Sequence, residues 1–416
     1  MSLYRLAVLV FLLLCFAVSP HQIWAAPASP AIVINLPSRT LAYYDNDELI
    51  KEYPVAIGSV STPTPLGTFR ILEKETNPVW YPPGKDCFVP SGPANPLGYR
   101  WLGFLPTYGI HGTNMPWSIG SVSSNGCIRM LEADVEELFT MADCQTPVQI
   151  TYDRIKIRID KSGNASLGIY PDVYGYQPIS LTDIHNRLTA CGLDGLAEES
   201  LVAKLLREQP DEQFFFAQVY RLKVNGKLLT EHVAAINDTL YAPVMAIAAR
   251  LNSPLSWDES NRLIIGNRTT VPGLLKGRTV YVRTDDLSLL FGGRQLWDPD
   301  GSCLLFQVPT LFFAGQPISS SVQLRADGNL IPALAVAKAL QQKVTWDEKR
   351  QTLSNAIRRI PVTVIDGEPY LADSRLGEYF NASVQRDETM QILELNYPRY
   401  DLDLSMYLDW WGECFD

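Results

Sequence analysis

The sequence predicts a mainly β N-terminal domain with one helix, followed by an array of small α+β repeat units. Three observations carry this. From residue 31 the chain runs through Val-, Ile- and Tyr-rich stretches separated by polar turns. A single helical periodicity interrupts them at 130–142. In the C-terminal half a Trp-Asp pair recurs ahead of a polar turn and another strand-like run. At 416 residues the chain is long enough for two or three compact units.

In chain order, residues 1–28 read as an export signal. Arg5 is the short positive region, 6–18 is apolar, and small residues follow at Ala25, Ala26 and Ala28. Cleavage fits after Ala28 or after Ala25. The apolar run is shorter than the roughly 20 residues a membrane span needs, and no later stretch is long and apolar enough. Cys15 raises the alternative of a lipid anchor, but Leu14 is bulky where such signals have a small residue. A removed signal places the mature protein outside the cytoplasmic membrane, in the periplasm or at the cell surface.

Strands are expected at "AIVINL" (31–36), "TLAYYD" (40–45) and "LIKEYPVAIG" (49–58), with "PSR" and "NDE" as turns. "STPTPLGTFRI" (61–71) has prolines that bar a central strand, so it marks a loop entering one. The Pro/Gly-rich stretch 77–100 exceeds the length of a connector, and Trp80, Tyr81 and Phe88 argue for an ordered binding loop or lid. "WLGFL" and "YGIHGT" return to strand and then turn. The helix at 130–142 is acidic early and apolar at Leu131, Val135, Leu138 and Phe139, and is expected to begin directly after Cys127. Strand at 147–160 closes the domain.

Residues 155–216 read as a β extension with a helical connector. Between 217 and 396, Trp257, Trp297 and Trp346 mark three repeat units. Tyr241 and Tyr281 lie sixteen residues before the first two, and a fourth copy carries Tyr370 and Arg386 at the same offset. Such self-similarity implies stacked supersecondary units, with each Trp anchoring a hairpin into a core. The acidic aromatic tail, 397–416, suggests no role.

A net charge of −10 argues against nucleic acid and against electrostatic adhesion to an anionic membrane. Six cysteines follow the signal: Cys87, Cys127, Cys144, Cys191, Cys303 and Cys414. They are too sparse for a disulfide scaffold, and no Cys/His spacing suggests a metal, so most read as small buried hydrophobes.

Cys127 differs. A helix starting just after it would lower its pKa through the dipole, and Gly126 allows a sharp backbone approach. His111, sixteen residues upstream between a strand and a glycine turn, supplies a base; His185 and His232 lie in the later segments. A thiol, a base and backbone N–H donors are the requirements of nucleophilic acyl transfer. A buried inert thiol and a structural histidine are the alternative reading.

"INLPSRTLAYY", "YPVAIGSVSTPTPLGTFRI", "GIHGTN" and "SSNGCIRM" together resemble the YkuD-type L,D-transpeptidases, which cross-link bacterial peptidoglycan. The resemblance covers residues 31–154. It implies Cys127 as nucleophile and His111 as general base, with a backbone carbonyl near Gly112 fixing the imidazole tautomer. Backbone around Gly126 and Cys127 would hold the oxyanion. Asn125 stands where the family often has histidine, and Arg129 either pairs with a stem carboxylate or forms a structural salt bridge. Tetrapeptide stems would act as donor and acceptor, giving 3→3 cross-links with release of D-alanine and no cofactor. Carbapenem-type β-lactams are the expected inhibitors. Water as acceptor would make the protein an L,D-carboxypeptidase, and loss of chemistry would leave a wall-binding module. The repeats resemble the stalk units named after the N-terminal domain of copper amine oxidases. No copper is implied, because His232 is the one histidine among them.

Overall fold

A computed structural model describes residues 30–397 except 47, 267, 268, 326, 327 and 388–391. The signal-like start, Cys15, Cys414 and nearly all of the tail lie outside the described residues. Strands dominate, and the chain divides into two compact units.

The first unit holds residues up to Lys156 together with 168–179 and 209–212. Its strands are β1 (Ala31–Asn35), β2 (Thr40–Asp45), β3 (Glu48–Pro54), β4 (Ile57–Gly58), β5 (Gly67–Arg70), β6 (Glu73–Thr76), β7 (Arg100–Leu105), β8 (Tyr108–His111), β9 (Val122–Ser124), β10 (Ile128–Arg129) and β11 (Pro147–Thr151). One helix, α1 (Glu132–Met141), belongs to them. β3, β2, β1, β11 and β5 form one sheet in that order, with β1 parallel to β11 and the other pairs antiparallel. A strand flanked on both sides and covered on both faces is expected to be apolar throughout, and every residue of β1 is buried. The second sheet runs β10-β8-β7-β6. Ile32, Ile34 and Leu41 from the first sheet meet Leu102, Phe104, Ile110 and Ile128 from the second, with Val135 and Leu138 of α1 closing the same core.

The run 49–58 is broken between Pro54 and Ile57: β3 pairs with β2 as far as Thr40 opposite Pro54, and Ala56 turns instead to Arg129, exchanging N–H to O bonds of 2.9 Å with it. The 147–160 stretch likewise splits into β11 and β12 (Ile155–Ile159). The Pro/Gly-rich excursion is ordered about Asn95, which is fully buried and donates Nδ2 to Pro78 O at 2.8 Å while accepting from Leu97 N–H at 2.9 Å. Trp80 and Val89 pair across it, leaving Tyr81 and Phe88 exposed with ring centroids 6.3 Å apart.

The expected extension at 155–216 is divided between the units. Buried Arg154 explains why part of it stays with the first: its guanidinium donates to Tyr170 O (2.9 Å), Gln177 O (2.7 Å) and Gln209 Oε1 (2.8 Å). β13 (Asn164–Ile169) pairs antiparallel with β14 (Phe214–Val224), and two helices, α2 (Leu181–Ala190) and α3 (Glu199–Glu208), accompany the second unit. Ser180 and Asp183 form a reciprocal capping box at the start of α2.

Residues 239–396 contain the same strand–helix–strand–strand order four times, with helices α4 (Val244–Leu251), α5 (Leu287–Phe291), α6 (Ala333–Ala339) and α7 (Leu376–Phe380). The copies associate in twos. The strand before α4 pairs with that before α5, and the strand before α6 with that before α7. One core gathers Leu222 to Val308 and another Leu311 to Leu395. β14 lies parallel to 303–307, and 310–313 lies parallel to 392–396, so each pair of copies is closed by its own opening strand. Trp257 and Trp346 pack against these cores as expected. Trp297 does not: it is 41% exposed and meets Tyr220 edge-on instead.

The expectation that most cysteines are buried holds for Cys303 alone among the fully buried class. Cys191 is half-buried, and Cys87 and Cys144 are exposed. Among the described residues no helix is long and apolar enough to cross a membrane. None of their His, Cys, Asp and Glu side chains gather into a group able to hold a metal ion.

Candidate active site

β8 and β10 run parallel with Ile110 opposite Ile128 and His111 opposite Arg129. Side chains alternate along a strand, so Cys127, one residue before β10, falls on the face that carries Arg129 and His111. β7 adds Trp101 to that face by pairing with His111. Its indole stacks on the imidazole at 5.7 Å and 23°, and its Nε1 donates to Glu73 Oε1 at 3.1 Å.

His111 is buried, with Nδ1 2.7 Å from Gly112 O. A carbonyl only accepts, so Nδ1 carries the proton and Nε2 is the basic nitrogen of the neutral ring. Burial lowers the imidazole pKa to about 4, and the nearby Arg129 charge adds to this. Cys127 is half-buried and its Sγ reaches Thr107 O at 3.5 Å. Burial pushes its thiol up, opposed by a Gly109 N–H and by the Arg129 charge. At neutral pH the pair is a thiol beside a neutral imidazole.

The helix expected directly after Cys127 begins instead at Glu132, with β10 in between. A helix dipole acts within the first turn, so it does not depress this thiol. The physical reason for the offset is the parallel ladder: Met130 N–H still bonds His111 O at 2.9 Å, committing 128–130 to strand.

Gly126 holds φ at 109° with Tyr108 against it; a Cβ there would lie 2.5 Å from the Tyr108 ring. Its N–H is taken by Ser124 Oγ at 3.0 Å, and that hydroxyl donates to Cys127 O at 2.6 Å. The Gly126 N–H is therefore not available to an oxyanion, contrary to expectation. Asn125 is exposed beside it. Arg129 forms no salt bridge among the described residues, so the structural alternative for it is not realised there; its guanidinium is half-buried on the Cys127 face.

Sequence reading passed over Glu132. Its Oε1 accepts from Tyr99 N–H at 2.7 Å and its carboxylate also faces the Thr113 N–H, tying the end of the excursion to the turn after His111. A Cβ at Gly112 would fall 2.2 Å from Glu132 Oε2, so any larger residue there must displace that carboxylate. The signal was present as an acidic residue at the start of α1, which reads equally as a dipole partner. Gly112→Ala is expected to cost about 1–3 kcal/mol by displacing that carboxylate from its backbone donors, and to slow any reaction that uses His111. Glu132→Ala in the same chain relieves the overlap, so the double variant should lose less than the sum of the single losses. Thermal unfolding of the four proteins checks this, and strict additivity would refute it.

The L,D-transpeptidase catalytic-domain family (YkuD) matches residues 29–150. YqjB of Bacillus subtilis, a relative named as an L,D-transpeptidase, is 38% identical over 133 residues, which cover 30% of this chain and 74% of that protein. The chain belongs to the L,D-transpeptidase family. YkuD of Bacillus licheniformis is 41% identical over 121 residues, 29% of this chain and 64% of the relative. For ErfK/SrfK of Escherichia coli the figures are 31% over 153 residues, 33% and 49%. The chain thus spans between about half and three quarters of the L,D-transpeptidase relatives it resembles. Among solved structures, the catalytic domain of the E. faecium L,D-transpeptidase is 26% identical, with 30% of this chain and 97% of that one covered and a TM-score of 0.26.

Proposed function

We propose that this protein is an exported L,D-transpeptidase that forms 3→3 peptidoglycan cross-links through an acyl-enzyme on Cys127. The observation that supports it most is the register of β8 and β10, which sets a thiol and a tautomer-fixed imidazole on one face. With both groups neutral, His111 Nε2 takes the thiol proton as Sγ attacks the carbonyl of the stem's third, diamino-acid residue. The imidazolium returns that proton to the departing D-alanine amine, leaving a thioester. The side-chain amine of a second stem then displaces Sγ, and the proton lost by the amine restores the thiol through His111. The energy of the cleaved peptide bond is kept in the thioester, so no nucleotide is consumed.

With Gly126 N–H engaged, we assign the oxyanion to the Cys127 N–H. Asn125 at the rim and Arg129 on the Cys127 face are the polar contacts assigned to the stem, Arg129 to its carboxylate. Residues 1–28 are the export signal in this reading, residues 31–154 the catalytic domain, and 217–396 a spacer or wall attachment.

The test is incubation of the full-length protein with purified tetrapeptide-bearing wall fragments, with products read by mass. Cross-linked dimer and free D-alanine are expected. Tripeptide without dimer would make the protein an L,D-carboxypeptidase, and unchanged substrate would favour a wall-binding module. A carbapenem presents a strained acyl donor of similar shape, so it should leave a covalent adduct on Cys127.

A further inference from the structure

The backbone around Cys127 is held by the loop 58–64. Thr64 is buried, and its Oγ1 accepts from Gly58 N–H and donates to Gly126 O, both at 2.9 Å. Ser59 N–H and Thr62 Oγ1 each donate to Ser124 O, at 2.8 and 3.1 Å. β4 also pairs in parallel with β9, so the loop follows the SSNGC segment along its length.

The loop is itself closed from outside the matched domain. Tyr174 lies in 168–179, a segment of the same compact unit as Cys127. Its hydroxyl donates to Gly58 O at 2.6 Å and accepts from Thr64 N–H at 3.3 Å, joining both ends of the loop. Tyr174 is in turn fixed: its N–H donates to Tyr152 Oη at 2.8 Å, Tyr152 donates to Asp172 Oδ1 at 2.5 Å, and the two rings stack at 5.9 Å and 26°. Burial keeps the Tyr174 phenol protonated, as a donor to Gly58 O requires.

We propose that Tyr174 is a positioning residue for Cys127, acting through Thr64: by closing the 58–64 loop it holds Thr64 Oγ1 on Gly126 O and so sets the Gly126–Cys127 peptide. This rests on the reading of Cys127 as nucleophile. The peptide at stake carries the N–H assigned to the oxyanion, and displacements well under an ångström matter there. A hydroxyl that merely anchored residues 168–179 to the unit would leave Cys127 reactivity unchanged.

The full-length protein and its Tyr174→Phe, Thr64→Val, Thr64→Ser and Tyr174→Phe/Thr64→Val variants test it. The maximal rate and half-saturating concentration of carbapenem adduct formation would be measured by mass. Alkylation of Cys127 by iodoacetamide would be followed against pH by peptide mass. Tyr174→Phe and Thr64→Val should each lower the maximal acylation rate about tenfold, with the half-saturating concentration unchanged. The double variant should be no slower than Thr64→Val, and Thr64→Ser should stay near wild type. Loosening the loop admits water to a thiol whose pKa burial has raised, so the alkylation midpoint should move to lower pH in Tyr174→Phe. Wild-type acylation and an unmoved midpoint in Tyr174→Phe would overturn the proposal, as would losses that multiply in the double variant. If the wild type forms no adduct, the functional reading fails, and the alkylation midpoint alone then decides for or against Tyr174.

Discussion

Cys127→Ala is expected to abolish the carbapenem adduct and all turnover of stem peptides, a loss on the order of a million-fold when a nucleophile is removed outright. The change deletes one sulfur from a half-buried position whose side-chain contacts are the long one to Thr107 O and the Gly109 N–H, so folding should hardly suffer. Cys144→Ala is the matched control: Cys144 is exposed and lies beyond α1. Intact protein mass after carbapenem treatment reads both. An adduct that survives in Cys127→Ala, or that disappears in Cys144→Ala, would place the nucleophile elsewhere.

His111→Ala is expected to cost about a hundred- to ten-thousand-fold in acylation rate, the range that general-base catalysis supplies. The pH dependence gives the sharper distinction. An imidazole is a base only when neutral, and this one holds its proton only below about pH 4. Wild-type acylation should therefore stay level from pH 7 to about 5 and fall through about 4, well below the 6.5 of an ordinary histidine. Without the imidazole only the thiolate reacts. Since burial raises the thiol pKa, the residual rate of the variant should climb steadily with pH above neutrality. His185→Ala serves as the control, for its Nε2 sits 3.3 Å from Glu199 Oε2 in the other compact unit. A wild-type profile that breaks near 6.5, or equal damage from both histidine variants, would mean that His111 is not the base.

The strands of the first unit were legible because their evidence is local. β1 and β2 fall on the Val-, Ile- and Tyr-rich runs, and the turns between them have hairpin length. Cys127 and His111, which the β8/β10 register brings to one face, stand out in the sequence because each lies next to a glycine in a short unusual context. The start of α1 was misplaced because β10 is two residues long and held by a parallel partner, a pairing that leaves no period in the sequence. Glu132, Thr64 and Tyr174 were missed for a related reason. Their bonds reach Tyr99, Gly126 and Gly58, at separations of 33, 62 and 116 residues. A hydroxyl or carboxylate bound to a distant backbone looks the same in sequence as one bound to water.

The twofold grouping of the C-terminal copies gives that half of the chain a parity. Trp257 and Trp346 are 89 residues apart, as are Tyr281 and Tyr370, so the interval that truly repeats spans two copies rather than one. A core shared between two copies cannot be halved without exposing its apolar face to water, at roughly 25 cal/mol for each Å² uncovered. Removing residues 310–397 as a block should leave a soluble, cooperatively melting protein. Removing only 363–397 should give one that binds hydrophobic dyes and aggregates, and equal behaviour of the two would argue against the grouping. If the chain's reach were ever altered by gain or loss of these copies, it would change in even steps.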